Sequence, residues 1–302
     1  MKSLLVFLMM GMGLSAKAGM VYVPVAMKPE TAKLVVVLHG CLQSAEAMAL
    51  GTGWNQLADA GNIVVLYLQV PAGSNPLNCW SWFLPENQRP DSGQLRGIHE
   101  EVNSLKESLR LKNPDTFVVG LSSGAVTAAG LLACFPDDFT AGALHSGASY
   151  GLARTLEEAE KVLKEGPSTA TSRGPCRPER FTGSLMVVHG SLDTVVHPQN
   201  AWRLIADFVT KNPPSSQQEM KDLDHPATVF DFDSEKGTRG RVVMIMGLGH
   251  AWSGFSKNLR LGHLLGPGAK FPTRLPFFSD TGPNATQLMW DFFKEISAKK
   301  EP

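Results

Sequence analysis

The 302-residue sequence predicts an α/β fold built on one doubly wound, mostly parallel sheet with helices on both faces. Short, nearly continuous apolar runs recur along the chain, as expected of strands covered on both sides. Segments of helical periodicity separate them, which makes right-handed βαβ crossovers the natural connection. Hydrophobic residues make up 43% and charged residues 19%, enough apolar surface for a sizeable core and too little charge for a disordered chain.

The first element in order is an address. Lys2 precedes the uncharged apolar run from Leu4 to Leu14, and Ala16-Lys17-Ala18 offers a small-x-small cleavage pattern. Residues 1–18 therefore read as a signal peptide, too short to span roughly 30 Å of hydrocarbon. Residues 19–302 read as a single domain that is secreted or periplasmic, with no further segment of about 20 apolar residues to hold it in a membrane. Strands are expected at Leu34–Leu38, Ile63–Tyr67, Thr116–Val119, Leu185–Val188 and Val242–Met246. Helices are expected at Leu95–Leu111, where Leu95, Ile98, Val102, Leu105 and Leu109 share a face, and at Ala125–Cys134, Thr155–Leu163, Ala201–Val209 and Ala285–Ile296. Residues 165–183, 211–228 and 253–283 interrupt the rhythm as loops; the first and third are long enough to overhang a site. No Thr/Ser/Pro-rich linker leads to another module.

Basic and acidic side chains balance at 28 each, which argues against a nucleic-acid partner. Cys41, Cys79, Cys134 and Cys176 are an even set in an exported chain, so two disulfides are expected in any of three pairings, with buried free thiols as the alternative.

Chemistry is expected at strand ends. Gly120-Leu121-Ser122-Ser123-Gly124 is a G-x-S-x-G sequence between a strand and a small-residue helix, the setting that presents a serine on a sharp turn. Flanking glycines relieve the crowding such a turn creates, and only Ser122 has the right spacing for a nucleophile. A serine hydroxyl needs a base held by a third group. In this chain order the acid and then the base should follow later strands. Asp193 follows Leu185–Val188 and His250 follows Val242–Met246, both on the side where Ser122 emerges. Among the rivals, His145 and His189 end strands and read as packing or hydrogen-bonding groups. His99, His197, His225 and His263 lack supporting context, and Asp222, Asp224, Asp231 and Asp233 read as a solvated face. An oxyanion needs two donors; the Ser123 N–H and the Cys41 N–H after His39-Gly40 are the expected pair. His39 reads as a support for that turn.

With these residues in place the sequence resembles the α/β-hydrolase esterases of the extracellular polyhydroxybutyrate depolymerase family, which also holds feruloyl and acetylxylan esterases. The resemblance covers roughly residues 20–295. It runs through Leu34 to Gln43, Gly51-Thr52-Gly53-Trp54-Asn55, Cys79-Trp80-Ser81-Trp82-Phe83 and Gly120 to Gly124. It continues through Gly190 to Val196, Gly249 to Gly254, and Gly282-Pro283-Asn284-Ala285 before Trp290. Tyr67-Leu68-Gln69 departs from a proline frequent in relatives, and Ala125 from a glycine. Polymer-degrading members usually add a linker and a binding domain.

The resemblance implies Ser122 as nucleophile, Asp193 as orienting acid and His250 as base. It also implies a Cys41–Cys79 disulfide, with Cys134 and Cys176 joined to each other and tying the helix after Ser122 to residues 165–183. Neither metal nor organic cofactor is implied. Trp80, Trp82, Phe83 and Trp252 lie near motif residues and are candidates to line an apolar substrate groove, with core aromatics as the alternative. The function expected is hydrolysis of short-chain hydroxyacid esters, polyhydroxybutyrate-type oligomers or polymer, by a monomer, through an acyl-enzyme. The alternatives are a feruloyl or acetylxylan esterase on the same scaffold, or a catalytically silent binding protein with this fold.

Overall fold

The computed structural model describes residues 4–6, 19–167, 172–221, 224–254 and 275–298. Its strands are β1 (Leu4–Val6), β2 (Met20–Val23), β3 (Lys33–Leu38), β4 (Ile63–Leu68), β5 (Thr116–Leu121), β6 (Ala141–His145), β7 (Ser184–Gly190), β8 (Ser216–Met220), β9 (Ala227–Asp233) and β10 (Arg239–Ile245). They form one sheet in the order β1-β2-β4-β3-β5-β6-β7-β10-β9-β8. From β4 to β10 all neighbours are parallel, while β1 and β2 at one edge and β9 and β8 at the other run antiparallel. Apart from β1, the expected signal peptide lies outside the described residues.

The helices are α1 (Ala45–Gly51), α2 (Trp54–Gly61), α3 (Gly93–Ser108), α4 (Ser123–Cys134), α5 (Leu156–Glu165), α6 (Gln199–Phe208) and α7 (Ala285–Ala298). Alternation along the central strands sorts their side chains onto two faces. Leu34, Val36 and Leu38 pack with Ile98, Val102 and Leu105 of α3, with α4, and with Leu204 and Ile205 of α6. Val35 and Val37 face the other way, against Met48 of α1, Trp54 and Ala58 of α2, and Phe292 and Phe293 of α7. Burial on both faces explains why these strands read as unbroken apolar runs.

All five expected strands and five expected helices are present, with ends shifted by a few residues. The expected loop 211–228 is corrected in part. Ser216–Met220 pairs with β9 as an edge strand, its polar side chains facing solvent. Of residues 253–283, the stretch 255–274 lies outside the described residues.

Two disulfides, Cys41–Cys79 and Cys134–Cys176, staple loops to this frame. The first joins the turn after β3 to the loop after β4. The second joins the end of α4 to the segment before β7.

Candidate active site

The turn between β5 and α4 places Ser122 at φ 56° and ψ −122°, a conformation that costs a non-glycine residue of order 1–3 kcal/mol. Its N–H donates to the His145 carbonyl at 3.0 Å, which anchors the strained residue to β6. The flanking glycines are steric requirements. A Cβ on Gly120 would stand 2.5 Å from the Gly124 carbonyl oxygen, and one on Gly124 would stand 2.5 Å from the carbonyl oxygens of Leu38 and His39. The second contact shows how closely α4 approaches the end of β3.

Asp193 and His250 meet beyond β6, on the turns that follow the adjacent strands β7 and β10. The Ser191 N–H donates to Ile245 O and the Leu192 N–H to Leu248 O, so the turns after β7 and β10 are tied together. Asp193 Oδ1 accepts the Val195 and Val196 N–H groups at 3.0 and 2.8 Å, and Oδ2 lies 2.8 Å from His250 Nδ1. A carboxylate only accepts, so Nδ1 carries the proton and Nε2 is left as the basic nitrogen. Burial alone would raise the Asp193 carboxyl. The His250 hydrogen bond and charge, with the Val196 N–H, outweigh it and hold the group below its ordinary value.

Two further histidines stand behind this pair, fully buried. His189 donates from Nε2 to the Val196 carbonyl at 2.8 Å, and the same nitrogen is 3.5 Å from Asp193 Oδ2. His145 stacks on Trp252, with ring centroids 5.5 Å apart, and bonds Ser146 Oγ through Nδ1. Burial pushes both below the ordinary histidine value, His145 to about 3. Their surroundings match the packing and hydrogen-bonding roles expected of them.

The turn after β3 completes the group. A Cβ on Gly40 would lie 3.3 Å from Ser122 Cβ, so this turn rests directly on the serine. His39 is fully buried and held neutral by its burial; Nδ1 donates to Gly40 O at 2.7 Å and Nε2 accepts the Val70 N–H at 3.2 Å. Among the described residues neither the Cys41 nor the Ser123 backbone N–H has a hydrogen-bond partner.

The aromatic groove is corrected. Trp80, Trp82 and Trp252 are 3%, 6% and 1% exposed. The Trp80 indole donates to His39 O at 3.0 Å and that of Trp252 to Thr286 Oγ1 at 3.1 Å, so both rings brace the turns beneath the site. Only Phe83, half-buried and edge-on to Trp82, retains an accessible face. Proximity to motifs misled here because burial is a tertiary property. Large apolar side chains exposed on the loops after β3, β4, β7 and β10 are instead Leu42, Leu77, Leu192, Val195 and Met246. Elsewhere, His99 pairs with Asp138, His197 and His225 bond backbone groups, and His263 lies outside the described residues.

Sequence reading missed Gln43 and Phe277. Gln43 is buried against the Gly40 turn, and the Phe277 ring stands edge-on to His250 at 5.6 Å. The position of Gln43 three residues after Gly40 was a local signal; Phe277 had none.

A sequence model for the family described as Esterase PHB depolymerase matches residues 17–215, a span that includes the Gly40 turn, the Ser122 elbow and Asp193. The chain belongs to this esterase family. Poly(3-hydroxyalkanoate) depolymerase C of Paucimonas lemoignei is 28% identical over 240 residues, covering 76% of this chain and 57% of that one. Probable acetylxylan esterase A of Neosartorya fischeri is 26% identical over 259 residues, covering 76% and 65%. The chain thus spans less than two thirds of the length of either. Feruloyl esterase B of Thermothelomyces thermophilus is 26% identical, covering 72% and 78%. Among solved structures, an acetyl xylan esterase from Aspergillus awamori superposes with a TM-score of 0.65 at 19% identity, covering 82% of this chain and 93% of that one. This places the fold among the α/β-hydrolases.

Proposed function

We propose that this esterase is an exported serine hydrolase of short-chain hydroxyacid esters, taking polyhydroxybutyrate-type oligomers or polymer. The observation that carries the reading is the 2.8 Å hydrogen bond from His250 Nδ1 to Asp193, formed at the same carboxyl end of the parallel strands as the Ser122 elbow. Ser122 Oγ attacks the ester carbonyl while its proton passes to His250 Nε2, and Asp193 stabilises the imidazolium. The Cys41 and Ser123 N–H groups receive the developing oxyanion, each such donor being worth about 3 kcal/mol in the transition state. The C–O bond to the alcohol breaks as His250 returns the proton to it. Water then attacks the acyl-enzyme with the same base, releasing the acid and restoring Ser122. Two disulfides fit an oxidising compartment.

The substrate preference is supported by the rim. Leu42 and Leu77 flank the Gly40 turn, and Leu192 and Val195 flank Asp193, at 54%, 55%, 64% and 44% exposure. Exposed apolar groups beside a site suit an aliphatic ester surface better than a hydrated polysaccharide. Acetylxylan or feruloyl ester hydrolysis is the second reading, favoured by the relatives that carry those names. A panel of 3-hydroxybutyrate oligomers, acetylated xylooligosaccharides and methyl ferulate at equal concentration tests the choice. We expect kcat/KM on the hydroxybutyrate trimer to exceed the others by at least about tenfold, against the one to three kcal/mol a pocket difference supplies. Faster turnover of acetylated xylooligosaccharides would overturn the polyester reading.

A further inference from the structure

The oxyanion turn and the base loop are far apart in sequence, and one short segment touches both. Gln43 is 3% exposed, and its side-chain amide is used at both ends. Oε1 accepts the Gly40 N–H at 2.9 Å, while Nε2 donates to the Pro276 carbonyl at 2.7 Å across 233 residues. Its backbone is held as well, with Gln43 N–H donating to Gly40 O at 3.3 Å and Asn78 Nδ2 donating to Gln43 O at 2.6 Å. A side chain so fixed cannot swing away without leaving a buried donor and acceptor unpaired, at about 1–3 kcal/mol each.

Phe277, the next residue along, meets the base loop. Its carbonyl accepts the Trp252 N–H at 2.8 Å, and its ring stands edge-on to the His250 imidazole at 5.6 Å and 77°. It does this at φ 61°, in the left-handed region that a bulky residue avoids. Such a conformation persists where the surroundings over-determine it. Here the bonds to Pro276 O and Phe277 O, from Gln43 and Trp252, grip consecutive peptide units from the two sides of the site.

Resting on the serine-esterase reading, we infer that Gln43 is a positioning residue, a side-chain brace that sets the Gly40–Cys41 turn at its working distance from His250 through Pro276 and Phe277. The oxyanion donors and the base must act on one tetrahedral centre, and a misplacement of about 1 Å can cost about 10²-fold in rate. A brace between them therefore acts on the transition state and leaves ground-state binding nearly untouched.

The test uses the full exported chain and p-nitrophenyl butyrate. Gln43→Met keeps length and bulk but makes neither hydrogen bond. We expect kcat to fall about 10- to 100-fold with KM within about threefold. The inhibition constant of butylboronic acid, which mimics the tetrahedral centre, should weaken by the same factor as kcat/KM. Phe277→Leu should lower kcat in the same way, and the double variant should fall little below the worse single one, because both act through one connection. Wild-type kcat in Gln43→Met, or losses that multiply in the double variant, would overturn the brace. Should Gln43→Met fail to fold by circular dichroism, Phe277→Leu decides alone: wild-type turnover and boronate affinity there reject it. Ser122→Ala separates the two claims. Undiminished turnover in that variant removes the serine reading, whereas an inactive Ser122→Ala beside a normal Gln43→Met removes only the brace.

Discussion

Acidification should weaken the fold through the histidines that the site keeps neutral. His39, His145 and His189 are each fully buried, and burial lowers all three below the ordinary value of 6.5. In the unfolded chain these rings take up protons as pH falls through 6.5; in the folded chain they resist. The unfolded state then binds more protons, so stability falls as pH drops from 6.5 toward the folded value. For His145 that value is about 3, the cause being burial first, then the neighbouring His189 and His250, with the Asp193 carboxylate opposing. Each pH unit in this window costs about 1.4 kcal/mol, so at pH 5 His145 alone removes about 2 kcal/mol. His189 and His39 add with the same sign. Against a typical domain stability of 5–15 kcal/mol this is a large loss. Asp193 does not contribute in this range. Its lowered carboxyl stabilises the fold above the unfolded value of about 3.9, and that stability is lost only as pH falls below it through the still lower folded value. Urea unfolding of the oxidised protein at pH 7.5, 6.0 and 5.0 measures the slope. His145→Phe should reduce it by close to one proton, about 1.4 kcal/mol per pH unit. A stability that stays flat between pH 7.5 and 5.0, or an unchanged slope in His145→Phe, would refute a neutral His145.

Ser122→Ala should lower kcat on p-nitrophenyl butyrate by roughly 10⁴–10⁶-fold with unchanged circular dichroism, while Ser123→Ala, which keeps its backbone N–H, should do far less; comparable losses would mean the elbow presents the wrong serine. Intact-mass measurement of oxidised protein should show four fewer hydrogens than the reduced form, and replacing either cysteine pair by serine should cost about 2–5 kcal/mol in a denaturant titration. Four alkylatable thiols in protein taken from its native compartment would contradict both bridges. Gly124→Ala should lose several kcal/mol and most activity, since its methyl would meet the Leu38 and His39 carbonyls at 2.5 Å; a wild-type melting temperature would show that α4 can shift.

What could be read from the sequence was what local pattern decides. The central strands announce themselves because both faces are buried, and the elbow because its two glycines answer to backbone contacts within a few residues or with the adjoining strand end. Asp193 and His250 were legible for a related reason: a parallel sheet puts every strand's carboxyl end on one side, so strand order alone locates them. Edge elements were harder. Ser216–Met220 carries Ser, Gln, Gln and Glu, and only its pairing with β9 makes it a strand. The tryptophans failed for the opposite reason: Trp80 and Trp252 sit in motifs because they prop the turns from beneath. Gln43 escaped because half of its role is a bond to Pro276, 233 residues away.

If Ser122 acts through His250 as proposed, the neighbouring histidines explain how one environment yields a single base. His39 is engaged at both ring nitrogens by Gly40 O and the Val70 N–H, a pattern that only the neutral ring satisfies. His189 Nε2–H donates a hydrogen bond to the Val196 carbonyl while lying 3.5 Å from Asp193. Were His189 to become charged, a second cation would share that carboxylate and withdraw stabilisation from an imidazolium forming at His250. Burial prevents this, so Asp193 remains committed to the one ring that donates to it at 2.8 Å. The pairing is selective because the neighbours are desolvated, in the same way that paired catalytic groups are pushed apart by contrasting surroundings. On the proposed mechanism, the acid sensitivity of the fold and the choice of His250 as base have one physical origin: keeping positive charge off His145 and His189 reserves it for the ring that donates to Asp193.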